Sequence, residues 1–157
     1  MKKISIFFLL CLSFLFSKAQ EYVDGGGGGC GGNTPCHPTI NAAVAAAASG
    51  EAVIVYPGTY DEKVIIEKPI DLHSTGGKAV TTIKLSTIGG YIAPIMIQAD
   101  NGPYTKVRVA GFTIIGTDVT QDQAGGGQES AAVIIGSGSS NTINTIVLEQ
   151  KFHYRQW

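Results

Sequence analysis

Charge is scarce in this chain: Asp, Glu, Lys and Arg together make up 15% of its 157 residues. Long solvated helices and coiled coils need far more than that, so neither is expected. A basic surplus is also missing, since 11 Lys and Arg face 12 Asp and Glu. A nucleic-acid binder would need a basic face, and this composition argues against one. The only long apolar run, Ile4 to Phe16, is shorter than the about 20 residues a spanning helix requires. Cysteine is sparse too. Beyond residue 19 there are only Cys30 and Cys36, and with His37 they lack the fourth ligand of a structural zinc site. The length suits one domain.

What is present begins with an export signal. Met1-Lys2-Lys3 is a positive start, the apolar run follows, and Ser17-Lys18-Ala19 offers small residues for cleavage before Gln20. Residues 1–19 are therefore expected to leave, and the protein to be secreted to the periplasm, cell surface or medium. Lys2, Lys3 and Lys18 leave with the signal while every acid stays, so the mature balance turns more acidic. Segment 20–37 follows, with seven glycines between Gly25 and Gly32. In an oxidising compartment a Cys30–Cys36 disulfide is the simplest outcome, with free thiols as the alternative. It would restrain a segment that glycine makes hard to order.

Segment 38–50 reads as a helix. Pro38 suits a first turn, the alanine run favours helix, Ile40, Ala43, Val44 and Ala47 share a face, and Gly50 suits the end. From residue 52 the period changes to short apolar runs: Ala52–Tyr56, Lys63–Ile66, Ile70–His73, Thr82–Leu85, Pro94–Ile97, Val107–Ala110, Phe112–Ile115, Ala131–Ile135 and Thr142–Leu148. Triplets such as Ile70-Asp71-Leu72 and Val107-Arg108-Val109 alternate, which places their first and third members inward. Between runs stand breakers, among them Pro57-Gly58, read as a tight turn with positive φ at glycine. A hairpin cannot form across Gly111 alone. A chain that bends there and continues along the next face of a coil can. The predicted fold is all-β: a right-handed parallel β-helix with a capping α-helix, its coils spanning 51–148. At roughly 20–25 residues per turn this gives about four coils.

Thr39-Ile40-Asn41-Ala42-Ala43-Val44 followed by Val53-Ile54-Val55-Tyr56-Pro57-Gly58-Thr59-Tyr60 resembles the opening of secreted β-helix proteins of the pectin lyase-like superfamily. Val109-Ala110-Gly111-Phe112-Thr113-Ile114 is similar to their coil strands, and Ser139-Ser140-Asn141-Thr142-Ile143 to their asparagine-bearing turns. The resemblance implies a parallel β-helix related to polysaccharide-acting proteins, some of which hold Ca²⁺ with acids and abstract a proton beside a uronate carboxylate. For this chain no catalytic residue, metal or cofactor is expected; Ca²⁺ belongs to a full-length relative.

The ligand-contact candidates are Arg108, Asp118, Asp122 and Gln128. Arg108 lies mid-strand and outward, where it is either a solvated charge or a contact for an acidic sugar. Lys84 and Lys106 are likewise read as solvated charges, and His73 reads as a turn or surface residue. Asp118, Asp122 and Glu129 fall in a loop whose spacing matches no compact calcium loop. Gln128-Glu129-Ser130-Ala131-Ala132-Val133 resembles the glutamine-bearing strand entry of pectin methylesterases, yet no Asp follows Gln128 to complete such a site. Tyr56, Tyr60, Tyr91 and Tyr104 lie near turns, either covering coil edges or forming a sugar-stacking edge. Asn141 and Asn144 read as turn residues. Residues 149–157 show no coil periodicity and read as an irregular tail, consistent with a truncated chain whose last coil invites edge-to-edge association.

The expected function is a scaffold that binds carbohydrate or serves as a surface module, lacking a complete active site, with acidic polysaccharide as the candidate partner and neither nucleic acid nor a membrane span. The alternative is a lyase or other pectin-active enzyme whose catalytic coils lie elsewhere.

Overall fold

The computed structural model describes residues 19–86, 93–98, 106–116, 133–136 and 146–153. The signal, Asp118, Asp122, Gln128, Glu129, Tyr91, Tyr104, Asn141, Asn144 and residues 154–157 lie outside them. The strands are β1 (Gln20–Val23), β2 (Cys36–His37), β3 (Ala52–Val55), β4 (Gly58–Asp61), β5 (Val64–Ile66), β6 (Asp71–Ser74), β7 (Thr81–Lys84), β8 (Ile95–Gln98), β9 (Val107–Ile115), β10 (Val133–Gly136) and β11 (Ile146–His153). One helix, α1 (Ile40–Ala46), precedes β3. Among the described residues no helix is long and apolar enough to cross a membrane.

Every ladder among these strands is parallel, so each pair requires a crossover through the rest of the stack. Three columns result. The first runs β2-β1-β3-β6, then the leading half of β9 and of β11. The second runs β4-β7, then the trailing halves of β9 and β11. The third is β5-β8-β10. From β3 onward chain order visits the columns in turn, an arrangement that fits a β-solenoid.

The corner at Gly111 decides the topology. Val109 pairs with Leu72 of β6, while Ile114 pairs with Ile83 of β7, so the two halves of β9 lie in different columns rather than against each other. Gly111 has φ +79, and a Cβ there would sit 3.4 Å from Ser74. Glycine tolerates that conformation where other residues are strained. Inward residues switch phase across the corner: Val107 and Val109 before it, Phe112 and Ile114 after it, all fully buried. With Val53, Val55, Val64, Ile66, Leu72, Ile83, Ile95 and Ile97 they form one apolar core.

Helix α1 covers the near end of this core through Ile40, Ala43 and Val44, joined by Ala47 just past its end, the face expected from the sequence. The helix is shorter than the expected 38–50. Thr39 caps it, its Oγ1 accepting from Ala42 N at 3.2 Å, and this fixes the start after Pro38. At the other end Ala47 leaves helical geometry with ψ 138, before Gly50 is reached. Lys68 Nζ then donates to Ala45 O and Ala47 O at 3.0 and 2.7 Å, satisfying carbonyls the helix leaves open.

Two other expectations are corrected. Gly58 does not make a positive-φ turn; it opens β4, donating its N–H to Val80 O at 3.0 Å. Residues 149–153 are not irregular. They continue β11, where Lys151, Phe152 and His153 pair with Thr113, Ile114 and Ile115 after a register irregularity beside Gln150. That irregularity falls level with the Gly111 corner, and no glycine marks it in the sequence.

Candidate functional site

The disulfide is present: Cys30 and Cys36 lie with Cα atoms 5.8 Å apart, and Cys30 is buried. It ties the glycine-rich loop to β2, which closes the outer edge of β1 through Tyr22 N to Pro35 O and Asp24 N to His37 O. Beside it lies a feature that sequence reasoning missed. Glu21 takes the inward register position held by Val53, Leu72 and Val109 in later strands, and its Oε2 meets His37 Nε2 at 2.6 Å. A carboxylate in an aliphatic column needs such a partner. Its two-residue spacing from Val23 inside a strand was the available signal.

The third column is closed differently. Asn41 Nδ2 donates to Lys63 O at 2.6 Å, and Asn41 Oδ1 accepts from Ile65 N at 3.1 Å. One side-chain amide thus takes the place of a further strand on the outer edge of β5. Glu62 accepts from Ile40 N and Asn41 N at 2.8 and 3.0 Å, placing a negative charge at the positive end of α1.

The best candidate for ligand contact is a groove of about 420 Å³ on the outside of the first column. It is lined by Ser49, Gly50, Pro69, Ile70, Asp71, Lys106 and Arg108. Local turns build it. Gly50, at φ +87, donates to Pro69 O at 2.6 Å and brings the end of the helical segment beside the entry to β6. Asp71 and Arg108 are ladder partners on β6 and β9, and Arg108 Nη1 donates to Asp71 Oδ1 at 2.8 Å. Arg108 is therefore held in place as an ion-paired side chain rather than a lone solvated charge. Lys106 is exposed, and among the described residues no carboxylate lies within ion-pair distance of it. Among the described residues, the groove's lining holds two cations, Lys106 and the ion-paired Arg108, and one carboxylate, Asp71.

His73 is not at a turn: it lies within β6, two residues beyond Asp71 on the same outer side. Its Nδ1 is 3.3 Å from Asp71 Oδ1, yet it is also a buried nitrogen with no aligned hydrogen bond. Lys84 pairs with Asp61 across β4 and β7 at 3.6 Å. Ser86 holds the Asp61 carboxyl below its usual range, first through its hydroxyl and then through its backbone N–H at 2.8 Å.

The tyrosines divide. Tyr60 is buried beneath Gly25, with its hydroxyl donating to Tyr56 O at 2.8 Å, so it belongs to the core rather than to a sugar-stacking edge. Burial pushes its hydroxyl pKa up. Tyr56 accepts from Asn33 Nδ2 at 2.8 Å and covers the glycine-rich loop. Among the described residues no cluster of three or more His, Cys, Asp or Glu is arranged to hold a metal ion. No protein-family model, curated protein or solved structure matches the chain.

Proposed function

We propose that this chain is an exported right-handed parallel β-helix whose groove at Lys106 and Arg108 binds the carboxylates of an acidic polysaccharide without cleaving it. Support for the fold comes from the three parallel columns and the Gly111 corner, together with the general right-handedness of parallel crossovers. The observation that carries the function is the groove itself, where the exposed Lys106 stands beside the Asp71–Arg108 ion pair. An oriented guanidinium and a flexible ammonium suit the carboxylates of a uronate chain. The resemblance to pectin-active β-helix proteins points to the same ligand class.

The test is affinity electrophoresis of the purified chain through gels containing polygalacturonate or a neutral glucan. Retardation by polygalacturonate alone, weakened by Lys106→Ala and by added salt, supports the reading. Equal mobility in both gels overturns it. In parallel, pectate with Ca²⁺ is followed for unsaturated-product absorbance. A signal that scales with protein would replace the binding reading with a lyase.

A further inference from the structure

The disulfide fastens a segment that has little else to hold it. Seven of the eight residues from Gly25 to Gly32 are glycine, so this stretch brings few side chains to bury and loses much freedom on ordering. Between residues 25 and 36 Cys30 is fully buried and every other residue is exposed. Cys30 also has φ +51, in the left-handed region where a side chain is strained. Beyond the disulfide, Asn33 Nδ2 donates to the Tyr56 hydroxyl at 2.8 Å and Pro35 O accepts from Tyr22 N at 3.1 Å. Gly25 N reaches the Tyr60 hydroxyl only at 3.5 Å. His37, one residue further on, is held in another way. It pairs with Val23, its Nε2 meets Glu21 Oε2, and its carbonyl accepts from Asp24 N at 3.0 Å. From there the chain runs directly into the Thr39 cap of α1.

We infer that residues 25–36 form a redox-sensitive strap: an external dithiol that opens the Cys30–Cys36 bond lets the strap lift from Tyr56 and Tyr60, while His37 stays locked to Glu21 as its hinge and the strands behind remain folded. This does not depend on the groove or its ligand. Cys36 is exposed and Cys30 is not, so a thiolate of the reductant attacks the Cys36 sulfur. The disulfide breaks, and Cys30 leaves as a thiolate that takes up a proton. The second thiol of the reductant then displaces Cys36, which also leaves protonated, and the dithiol departs as a cyclic disulfide. Two electrons and two protons have passed from the dithiol to the cysteines. Cys30 is then free to return to negative φ, and the glycines regain the freedom that the bond withheld. In the closed state the Tyr60 ring lies under Gly25, where a Cβ would sit 3.0 Å from its Cε1, and Asn33 holds the Tyr56 hydroxyl. The open state uncovers both rings, so the near end gains an aromatic surface only when its latch is reduced.

Hydrogen exchange on the whole chain, before and after dithiothreitol, tests this, with iodoacetamide labelling to report the cysteines. Reduction should make both cysteines label and should speed exchange of the Tyr22 amide, which loses Pro35 O, by about tenfold or more. The Asp24 amide, bonded to His37, and the Leu72 amide in the strands behind should change by less than about twofold. Nitration of Tyr56 by tetranitromethane should rise in the same samples. Cys30→Ser should show the open pattern without reductant; if it fails to fold, the reduced wild type carries the test. Cysteines that resist labelling after dithiothreitol would show that the latch is out of reach and overturn the switch. So would a Tyr22 amide that stays slow with both cysteines labelled. Acceleration of Asp24 together with Tyr22 would remove the hinge from His37, and acceleration of Leu72 would make the disulfide a staple of the whole fold rather than a latch.

Discussion

The near end of the molecule and its stacked parallel strands, here termed coils for the solenoid they fit, solve the same problem by different means. Both must bury apolar side chains and leave no backbone group unpaired. The coils do it by repetition: Val53, Leu72 and Val109 succeed one another in register, and each strand supplies the next with ladder partners. The end has no next strand. It relies on single side chains with individual tasks, namely Asn41 on the edge of β5, Glu62 at the start of α1, Lys68 at its finish and Glu21 against His37. In the coils, then, stability is spread over interchangeable aliphatic positions. At the end it is concentrated in polar groups whose placement no neighbour duplicates. An exposed strand edge is a template for aggregation, which gives those groups a role beyond stability.

The comparison is broken most directly in the core. Leu72→Ala removes a fully buried side chain from the middle of a column and should destabilise the chain by about 2–5 kcal/mol, read as a lower urea midpoint. A loss below about 1 kcal/mol would mean that the columns are not closely packed. Asn41→Ala should cost about 1–3 kcal/mol, because it strands the Lys63 carbonyl and the Ile65 amide at a partly buried edge. Here hydrogen exchange sharpens the contrast. The Ile65 amide should exchange faster in the variant while the Leu72 amide keeps its protection. Uniform acceleration of both would show that the end and the coils open as one unit.

Much of the parallel strand stack was legible because its signals are local. The alternation of Val107 to Val109, the lone Gly111 and the renewed alternation at Phe112 describe a corner without knowledge of any partner. The inward face of α1 was legible for the same reason. Where local signals mislead, the cause is tertiary. Pro57-Gly58 has the composition of a turn, but Gly58 is drawn into β4 by pairing with the strand that follows. Residues 149–153 carry a corner without glycine, so only their pairing with β9 reveals the strand. The candidate site was half legible. Arg108 and its outward position follow from alternation, but its partner Asp71 lies far off in sequence, and only the coil register brings them together. Asn41 and Glu62 were invisible as caps, since their task depends on strands that the sequence places more than twenty residues away.

The smallest expected effect concerns the second column, where charge stabilises the outside of a coil rather than its end. Asp61 is exposed, and its carboxyl is held below the ordinary value of about 3.9 by Ser86 first and by Lys84 as a lesser contributor. In the unfolded chain neither partner is held nearby. A carboxyl whose folded value is depressed adds stability that is fully present above the unfolded value, and it is lost as pH falls through the folded one. The wild-type chain should therefore melt slightly above Asp61→Asn at pH 7, and the gap should close as the pH is lowered through 4 toward the folded value. Because the groups are exposed, added salt should weaken the Lys84 share while sparing the hydrogen bonds from Ser86. Thermal melts of both proteins across this range decide it. A gap that stays constant with pH would assign the difference to the shape of the side chain, and the outer charges of the coil would then be neutral decoration on a fold held by its interior.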